Sequence, residues 1–179
     1  SLFVSATEDG DRLMPELEIP FNEIESSDLI CGAVYKAGAG GGLGGEPISR
    51  VLPVANMGGF RFLGGKSVGR CRAAVLYTTF NDPKWPDRLD SESGLLTYYG
   101  DNKDPDCSLG GTPSGGNRFL EESFHALHDG ETERLSIPPF FIFSKVTVGC
   151  RDVRFHGLAV PGAAGVGHMD DLVAVWDKK

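Results

Sequence analysis

Glycine and proline interrupt this chain so often that long helices are excluded before any other pattern is read: 25 glycines and 11 prolines fall among 179 residues. A glycine weakens a helix or strand interior, and a proline usually ends one. The expectation is therefore short elements joined by many turns and long loops. Residues 37–47, AGAGGGLGGEP, are the extreme case and read as a mobile loop by composition. Gly40, Gly42 and Gly45 match G-x-G-x-x-G literally. A dinucleotide site needs that pattern to open a helix, and Glu46-Pro47 is not expected to admit a smooth one. No phosphate-loop lysine follows, and so many glycines produce such matches by chance.

Between the interruptions the apolar residues form short runs. CRAAVLYTT reads as a buried strand, and LLTYYG, PFFIFSKVTV, RDVRFHGLAV and DLVAVW as further strands. The one convincing helix runs from about Asn117 to His128, with Phe119, Leu120, Phe124 and Leu127 largely on one face and Gly130 just past its end. PISRVL suits a single helical turn, SDLICGAVYKAG a short element led by Ser27 or Asp28, and ANMGGFRFLGGK a glycine-hinged loop. The pattern is a β-rich α+β domain. At 40% hydrophobic, the chain is long enough for one packed domain. No window approaches the ~18 uninterrupted apolar residues of a membrane span, and the start lacks a signal peptide's basic and apolar regions. Cys31, Cys71, Cys107 and Cys150 are widely spaced, with no C-x-x-C, and read as reduced thiols in a cytoplasmic protein, with two disulfides in a secreted protein as the lesser alternative. No metal and no cofactor is expected.

The net charge of −8 argues at first against a nucleic-acid partner. The distribution of that charge points the other way. Residues 1–30 alone carry −7, and between Glu46 and Asp82 there is no acidic residue, while Arg50, Arg61, Lys66, Arg70 and Arg72 are all present. An acidic leader, expected to be irregular over residues 1–18, thus precedes a locally basic segment compatible with a phosphate-facing surface. A solvated face with its counter-charges elsewhere in the fold fits the charges equally well.

The stretch GLLTYYGDNK (94–103) holds two adjacent tyrosines before a Gly-Asp-Asn turn. With the preceding WPDRLD it gathers Trp85, Asp87, Tyr98, Tyr99 and Asp101 on two loops flanking a strand pair. A pocket for a single nucleobase needs two π-faces and a carboxylate or backbone groups to read the base edge, and a carboxylate can accept from cytosine's exocyclic amine. The plainer reading has these aromatics capping the core. A nuclease reading is also open: Pro86-Asp87 and Asp101-Asn102-Lys103 match PD…(D/E)xK, in which two carboxylates hold Mg²⁺ and the lysine orients water. That motif normally lies along a strand, however, and here it falls in turn chemistry. No G-x-S-x-G is present, and His125, His128, His156 and His168 lack the context of a catalytic base. His125 and His128, three apart on the helix, suit a surface or dipole role better than a metal site.

The series GLLTYYGDNK…GGNRFLEESF resembles the SET-and-RING-associated (SRA) modified-cytosine-binding domains, which carry an aromatic-Thr-Tyr-x-Gly turn and a Gly-Asn-Arg or Asn-Lys-Arg segment opening a helix. More closely, SDLICGAVYKAG, EPISRVLPVANMGGFRF, VLYTTFNDPKWPDRLDSESGLLTYYGDNK, TPSGGNRFL and GLAVPG…DLVAVW are similar, in order over residues 19–176, to the N-terminal recognition domain of AspBHI-type modification-dependent restriction endonucleases. The resemblance implies a PUA/SRA-like curved β-barrel with a few flanking helices over residues 19–179. It implies that a modified cytosine, foremost 5-methylcytosine, is flipped from duplex DNA, while a separate C-terminal nuclease domain cuts nearby. This chain would then be non-catalytic. By match to the SRA turn, Tyr98 stacks on the base, and Thr97 and Tyr99 to Asp101 supply backbone contacts around it. Trp85 is the choice for the opposing face and Asp87 for the cytosine edge. Asn56, Arg61, Lys103, Asn117 and Arg118 are the candidates for phosphate or groove contacts, with helix-start packing the alternative for Arg118. In the family an aromatic-rich basic segment follows the DLVAVW stretch, whereas this chain stops at Asp177-Lys178-Lys179, so a truncated recognition fragment is expected. Two other classes stay open: a metal-dependent nuclease using Asp87, Asp101 and Lys103, and a PUA-like reader of another ligand such as RNA or phosphorothioate DNA.

Overall fold

The apolar runs that read as strands pair with one another through the middle of one sheet. The computed structural model describes residues 16–101, 108–162 and 165. Most of the acidic leader, Asn102, Lys103, Cys107, His168 and the DLVAVW stretch lie outside the described residues. In chain order the elements are β1 (Glu18–Ile19), β2 (Val34–Tyr35), α1 (Pro47–Val51), β3 (Phe60–Gly64), β4 (Cys71–Thr78), β5 (Arg88–Leu89), β6 (Leu96–Thr97), α2 (Gly116–Asp129), α3 (Glu131–Arg134), β7 (Phe140–Lys145) and β8 (Val153–Ala159). Six strands form one sheet in the order β1-β2-β8-β7-β4-β3, and β5 with β6 forms a separate hairpin. Pairs β1–β2 and β4–β7 are parallel; β2–β8, β7–β8 and β3–β4 are antiparallel. The α+β class matches the expectation from sequence. Among the described residues the sheet is open, ending at β1 and β3.

From Ala73 to Leu76 strand β4 is apolar and buried because both its faces are covered. Val75 joins one buried cluster with Tyr35, Ile48, Phe143, Val153 and Phe155. Its neighbours Ala74 and Leu76 join a second cluster with Phe60, Phe119, Phe140 and Ile142. A strand buried on two sides loses the alternation of a half-exposed one and reads as a continuous apolar run. Helix α2 covers the second face. Its buried stripe is Gly116, Asn117, Phe119, Ser123 and Ala126, so Leu120, Phe124 and Leu127, singled out by periodicity, flank the contact and are only half-buried. Ser123 sits at the contact because its hydroxyl is satisfied within the helix, donating to the Phe119 carbonyl at 2.7 Å.

Three local expectations are corrected. FRFLG is a strand rather than a loop, and the glycine hinge, Gly58-Gly59, precedes it. A short helix does follow the glycine run, with Pro47 in its first turn and the Glu46 carboxylate accepting from the Ser49 amide at 2.5 Å. The run itself is tied down: Arg151 donates to the carbonyls of Gly40 (2.7 Å) and Gly38 (2.5 Å). A Cβ on Gly45 would collide with the Gly40 carbonyl, so that glycine serves close packing of backbone on backbone.

Among the described residues no helix is long and apolar enough to cross a membrane, and Cys31, Cys71 and Cys150 are free thiols. Phe119 is fully buried where α2 meets β3 and β7, its ring 5.0 Å from Phe62 and 5.9 Å from Phe140. Phe119→Ala is expected to lower unfolding stability by ~3–5 kcal/mol, through lost burial and a residual cavity, as measured by denaturant titration.

Candidate functional site

The Tyr-Tyr-Gly-Asp turn is built to deliver one carboxylate to the start of a helix. Gly100 holds φ +78°, and a Cβ there would collide with the Asn117 Oδ1. The turn places Asp101 so that its amide donates to Asn117 Oδ1 at 2.9 Å. In return Asp101 Oδ1 accepts from Thr112 Oγ1 at 2.8 Å and from the Asn117 amide at 3.1 Å. Asp101 Oδ2 accepts from the Gly116 amide at 2.8 Å and from the Ser114 hydroxyl. The helix's own N-cap, Gly115 at φ +76°, offers no side chain, so Asp101 takes the orphan amides from outside the helix. Its charge also complements the helix dipole. A Cβ on Gly116 would meet Asp101 Oδ2 at 2.7 Å and Phe60 at 2.9 Å, which is why glycine opens this helix.

Two expected roles change. The Asn117 side chain is buried (6% exposed) and spent on Asp101, so it is not a surface group for DNA. Asp101 accepts from four protein donors, two on each oxygen, which occupies the lone pairs a metal-ligand role would need. Among the described residues no cluster of three or more His, Cys, Asp or Glu side chains could hold a metal.

Asp87 occupies a different setting. The β5–β6 register pairs Arg88 with Thr97, so Asp87 and Tyr98 face each other at the open end of the hairpin. Asp87 Oδ2 accepts from Thr78 Oγ1 at 2.7 Å, at the end of β4, and Oδ1 accepts from the Tyr99 amide at 2.8 Å. Burial raises the Asp87 carboxyl above its ordinary value; its two hydrogen bonds pull it partly back, and Asp82 adds a smaller rise. Tyr98 is half-buried, its ring meeting the edge of Phe60 at 6.4 Å. Burial pushes its phenol well up, with Asp87 and Asp101 adding in the same direction. A Cβ on Gly59 would lie 2.9 Å from the Tyr77 carbonyl and 3.1 Å from the Tyr98 hydroxyl. The closeness allowed by this glycine is therefore to Tyr98 and β4.

The structure thus brings Asp87, Thr97, Tyr98, Tyr99 and Asp101 to one end of the molecule. Half-buried Trp85 lies two residues before Asp87 in the same turn, its carbonyl accepting from the Asp87 amide at 2.8 Å. Thr78, which ties Asp87 to the sheet, is a site residue that sequence reasoning misses. Its only signal there is a hydroxyl at the end of an apolar run.

The cationic candidates separate. Arg61 is corrected: it is 4% exposed and ion-paired to Glu46 at 2.7 Å. Its Nε donates to the Gly58 carbonyl at 3.1 Å, and its guanidinium lies over the Tyr77 ring at 5.3 Å. It is an internal strut and presents no face to a phosphate. Arg118 has a side chain 58% exposed, 4.0 Å from Glu122. Asn56 is half-buried beside Gly42. Lys103 lies outside the described residues.

Residues 29–179 match the family described as restriction endonuclease AspBHI N-terminal. The chain belongs to this family. The AspBHI N-terminal assignment agrees with solved structures. One, described as the DNA recognition domain of the cytosine modification-dependent restriction endonuclease LpnPI, is similar with a TM-score of 0.83 at 38% identity, covering 94% of this chain and 74% of that one. The DNA modification-dependent restriction endonuclease AspBHI gives 0.82 at 36% identity, covering 90% and 74%. No curated protein matches.

Two outcomes follow from the carboxylates of this AspBHI N-terminal domain. Asp101→Ala removes an acceptor for four donors and is expected to cost at least the ~1–2 kcal/mol of a helix cap, read as a lower melting temperature. Asp87 behaves oppositely. Its raised folded pKa means that folding disfavours the ionised form, a penalty absent below the unfolded pKa and complete above the folded one. Asp87→Asn should therefore melt higher than the parent at neutral pH, and the gain should vanish as acid protonates the parent carboxyl, in melts from pH 3 to 8.

Proposed function

We propose that this chain is a DNA recognition domain of a modification-dependent restriction endonuclease, and that it reads a modified cytosine, foremost 5-methylcytosine, flipped from the duplex. The observation that carries this reading is the Asp87 carboxylate, anchored by Thr78 and the Tyr99 amide at the open end of the hairpin, with Tyr98 across from it. The chain has the family's fold, and the two similar solved structures are described by their dependence on modified DNA. An acceptor held this way suits the exocyclic amine of cytosine, and because it is fixed before the base arrives, little ordering is lost on binding. Tyr98 and Trp85 supply aromatic surface for the base. Extrusion costs a few kcal/mol, and each base–aromatic stack returns ~1–3 kcal/mol. Two faces and one charged acceptor suffice.

Arg118, at the exposed start of α2, is a cation placed to follow a phosphate backbone, with Asn56 and Lys103 as further contacts. Thr97, Tyr99 and Asp101 shape the rim. The domain itself binds, and cutting belongs to a nuclease domain elsewhere in the full-length enzyme, working in the cytoplasm where it meets DNA.

Fluorescence anisotropy on 5-methylcytosine, phosphorothioate and unmodified duplexes, with a Mg²⁺ cleavage control, tests the reading. Tyr98→Ala is expected to weaken binding of the methylated duplex by ~1–3 kcal/mol and to leave nonspecific binding nearly intact. Arg118→Ala should weaken every duplex by a similar factor and reduce the salt slope by about one. Melting curves establish that both variants fold. Equal affinity of the parent for methylated and unmodified DNA across salt concentrations sinks the proposal.

A further inference from the structure

One end of the sheet carries a polar cluster of which Thr78 alone takes part in the roles described above. Thr78 of β4 is in register with Ser144 of β7, so the two hydroxyls lie side by side on one face, 6% and 4% exposed. Ser144 Oγ is 2.7 Å from His156 Nε2. His156 reaches it because the β7–β8 register skips: Ile142 faces Gly157 and Phe143 faces Phe155, leaving His156 as the extra residue of a bulge. Bulges re-aim a side chain in this way and concentrate beside functional sites. The edge of the Phe80 ring meets the imidazole at 5.4 Å. Phe80 is the one described non-glycine residue in the left-handed region, at φ +55°. A bulky side chain there is strained, and such strain persists where the surroundings hold it in place. Here the Phe80 amide donates at 3.1 Å to Thr78 Oγ1, the same hydroxyl that donates to Asp87.

A continuous path therefore runs from Asp87 through Thr78 to Phe80, and across one strand spacing of ~4.8 Å to Ser144 and His156. Cytosine carries its exocyclic amine and its 5-substituent on adjacent ring atoms. With the amine on Asp87, the 5-substituent projects to one side of that carboxylate. On the Tyr99 side lies turn backbone, suited to the polar N3 and O2 edge. On the Thr78 side lie an aromatic edge and an imidazole, suited to a small carbon substituent.

We propose that Phe80, Ser144 and His156 form a second wall of the base site and read the substituent at the cytosine 5-position; this rests on the base-pocket reading above. Phe80 bounds the space for a methyl carbon. Ser144 is a positioning residue, its buried hydroxyl 2.7 Å from Nε2; within this proposal the hydroxyl donates to Nε2 and the imidazole carries its proton on Nδ1 as a donor. Burial, with Arg154 adding, holds the imidazole pKa down at about 4, so it stays neutral through the physiological range. A neutral N–H donor supplies a hydrogen bond to a substituent bearing oxygen, so hydroxymethyl is accepted beside methyl.

The test uses the full chain and three duplexes that differ at one cytosine: unmodified, 5-methyl and 5-hydroxymethyl. His156→Phe keeps an aromatic ring against Phe80 and removes the donor. It is expected to lower affinity for the hydroxymethyl duplex about tenfold while changing that for the methyl duplex less than about threefold. Ser144→Ala should shift the ratio in the same direction, and His156→Gln, which retains an N–H, should restore part of it. Parent protein that fails to prefer either modified duplex defeats the base-pocket reading itself. Parent protein that discriminates, with folded His156→Phe and Ser144→Ala keeping the parental hydroxymethyl-to-methyl ratio, overturns this inference alone. Should one variant not fold, the other's ratio decides.

Discussion

The joint between the tyrosine turn and the long helix hangs on one carboxylate at the helix start. Asp101 gathers the Gly116 and Asn117 amides and the Thr112 and Ser114 hydroxyls, and thereby joins the tyrosine turn to α2. That helix carries Phe119 into the core beneath β3. Position and composition follow from this joint. Gly100 must be glycine because Asn117 returns to it, and Gly116 because Asp101 and Phe60 close over it. A Gly-Gly-Asn segment looks like flexible loop sequence, yet Gly115 is fixed by its left-handed backbone and Gly116 and Asn117 by what approaches them.

Chemically equivalent side chains hold different places because of their partners. Asp101 is satisfied by four protein donors at a helix terminus. Asp87 has two, is raised by burial, and stands at the open end of the β5–β6 hairpin. The basic stretch from residue 47 to 81 divides likewise: Arg61 is locked inside against Glu46, Arg50 lies over the Phe21 ring and pairs with Glu25, and Lys66 reaches the Ser114 carbonyl. A run of like charge along the chain is therefore not one charged face. Glu46 lies just outside that stretch in sequence and supplies its internal counter-charge, while also capping α1.

Features governed by local patterning are legible directly from the residues. The run CRAAVLYTT, the strands after residue 139 and the long helix all stand where apolar content or period puts them. Sequence reasoning fails where a distant contact decides. Arg61 lies in an exposed-looking Gly-Gly-Phe-Arg segment, and nothing adjacent announces Glu46 fifteen residues earlier in sequence as its partner. The glycine run reads as mobile because Arg151, which holds it, is 111 residues away from Gly40. His156 has no motif around it; its environment is made by a register shift between two strands, which residue identity does not encode locally.

The parallel seam between β4 and β7 has a consequence for how the domain comes to exist. Each strand has an antiparallel partner nearby in sequence, β3 for β4 and β8 for β7, so two hairpins can form early from local contacts. Joining them means closing a loop of roughly 60 residues, a slow, non-local event of the kind that limits folding rates. That loop contains Trp85, Asp87, Tyr98, Asp101 and all of α2. A nascent chain released just before Phe140 would hold every residue of the hairpin and the end of β4 that ties it down, yet lack the strand that pairs with β4 on its other edge. The sheet beneath the hairpin is thus completed last.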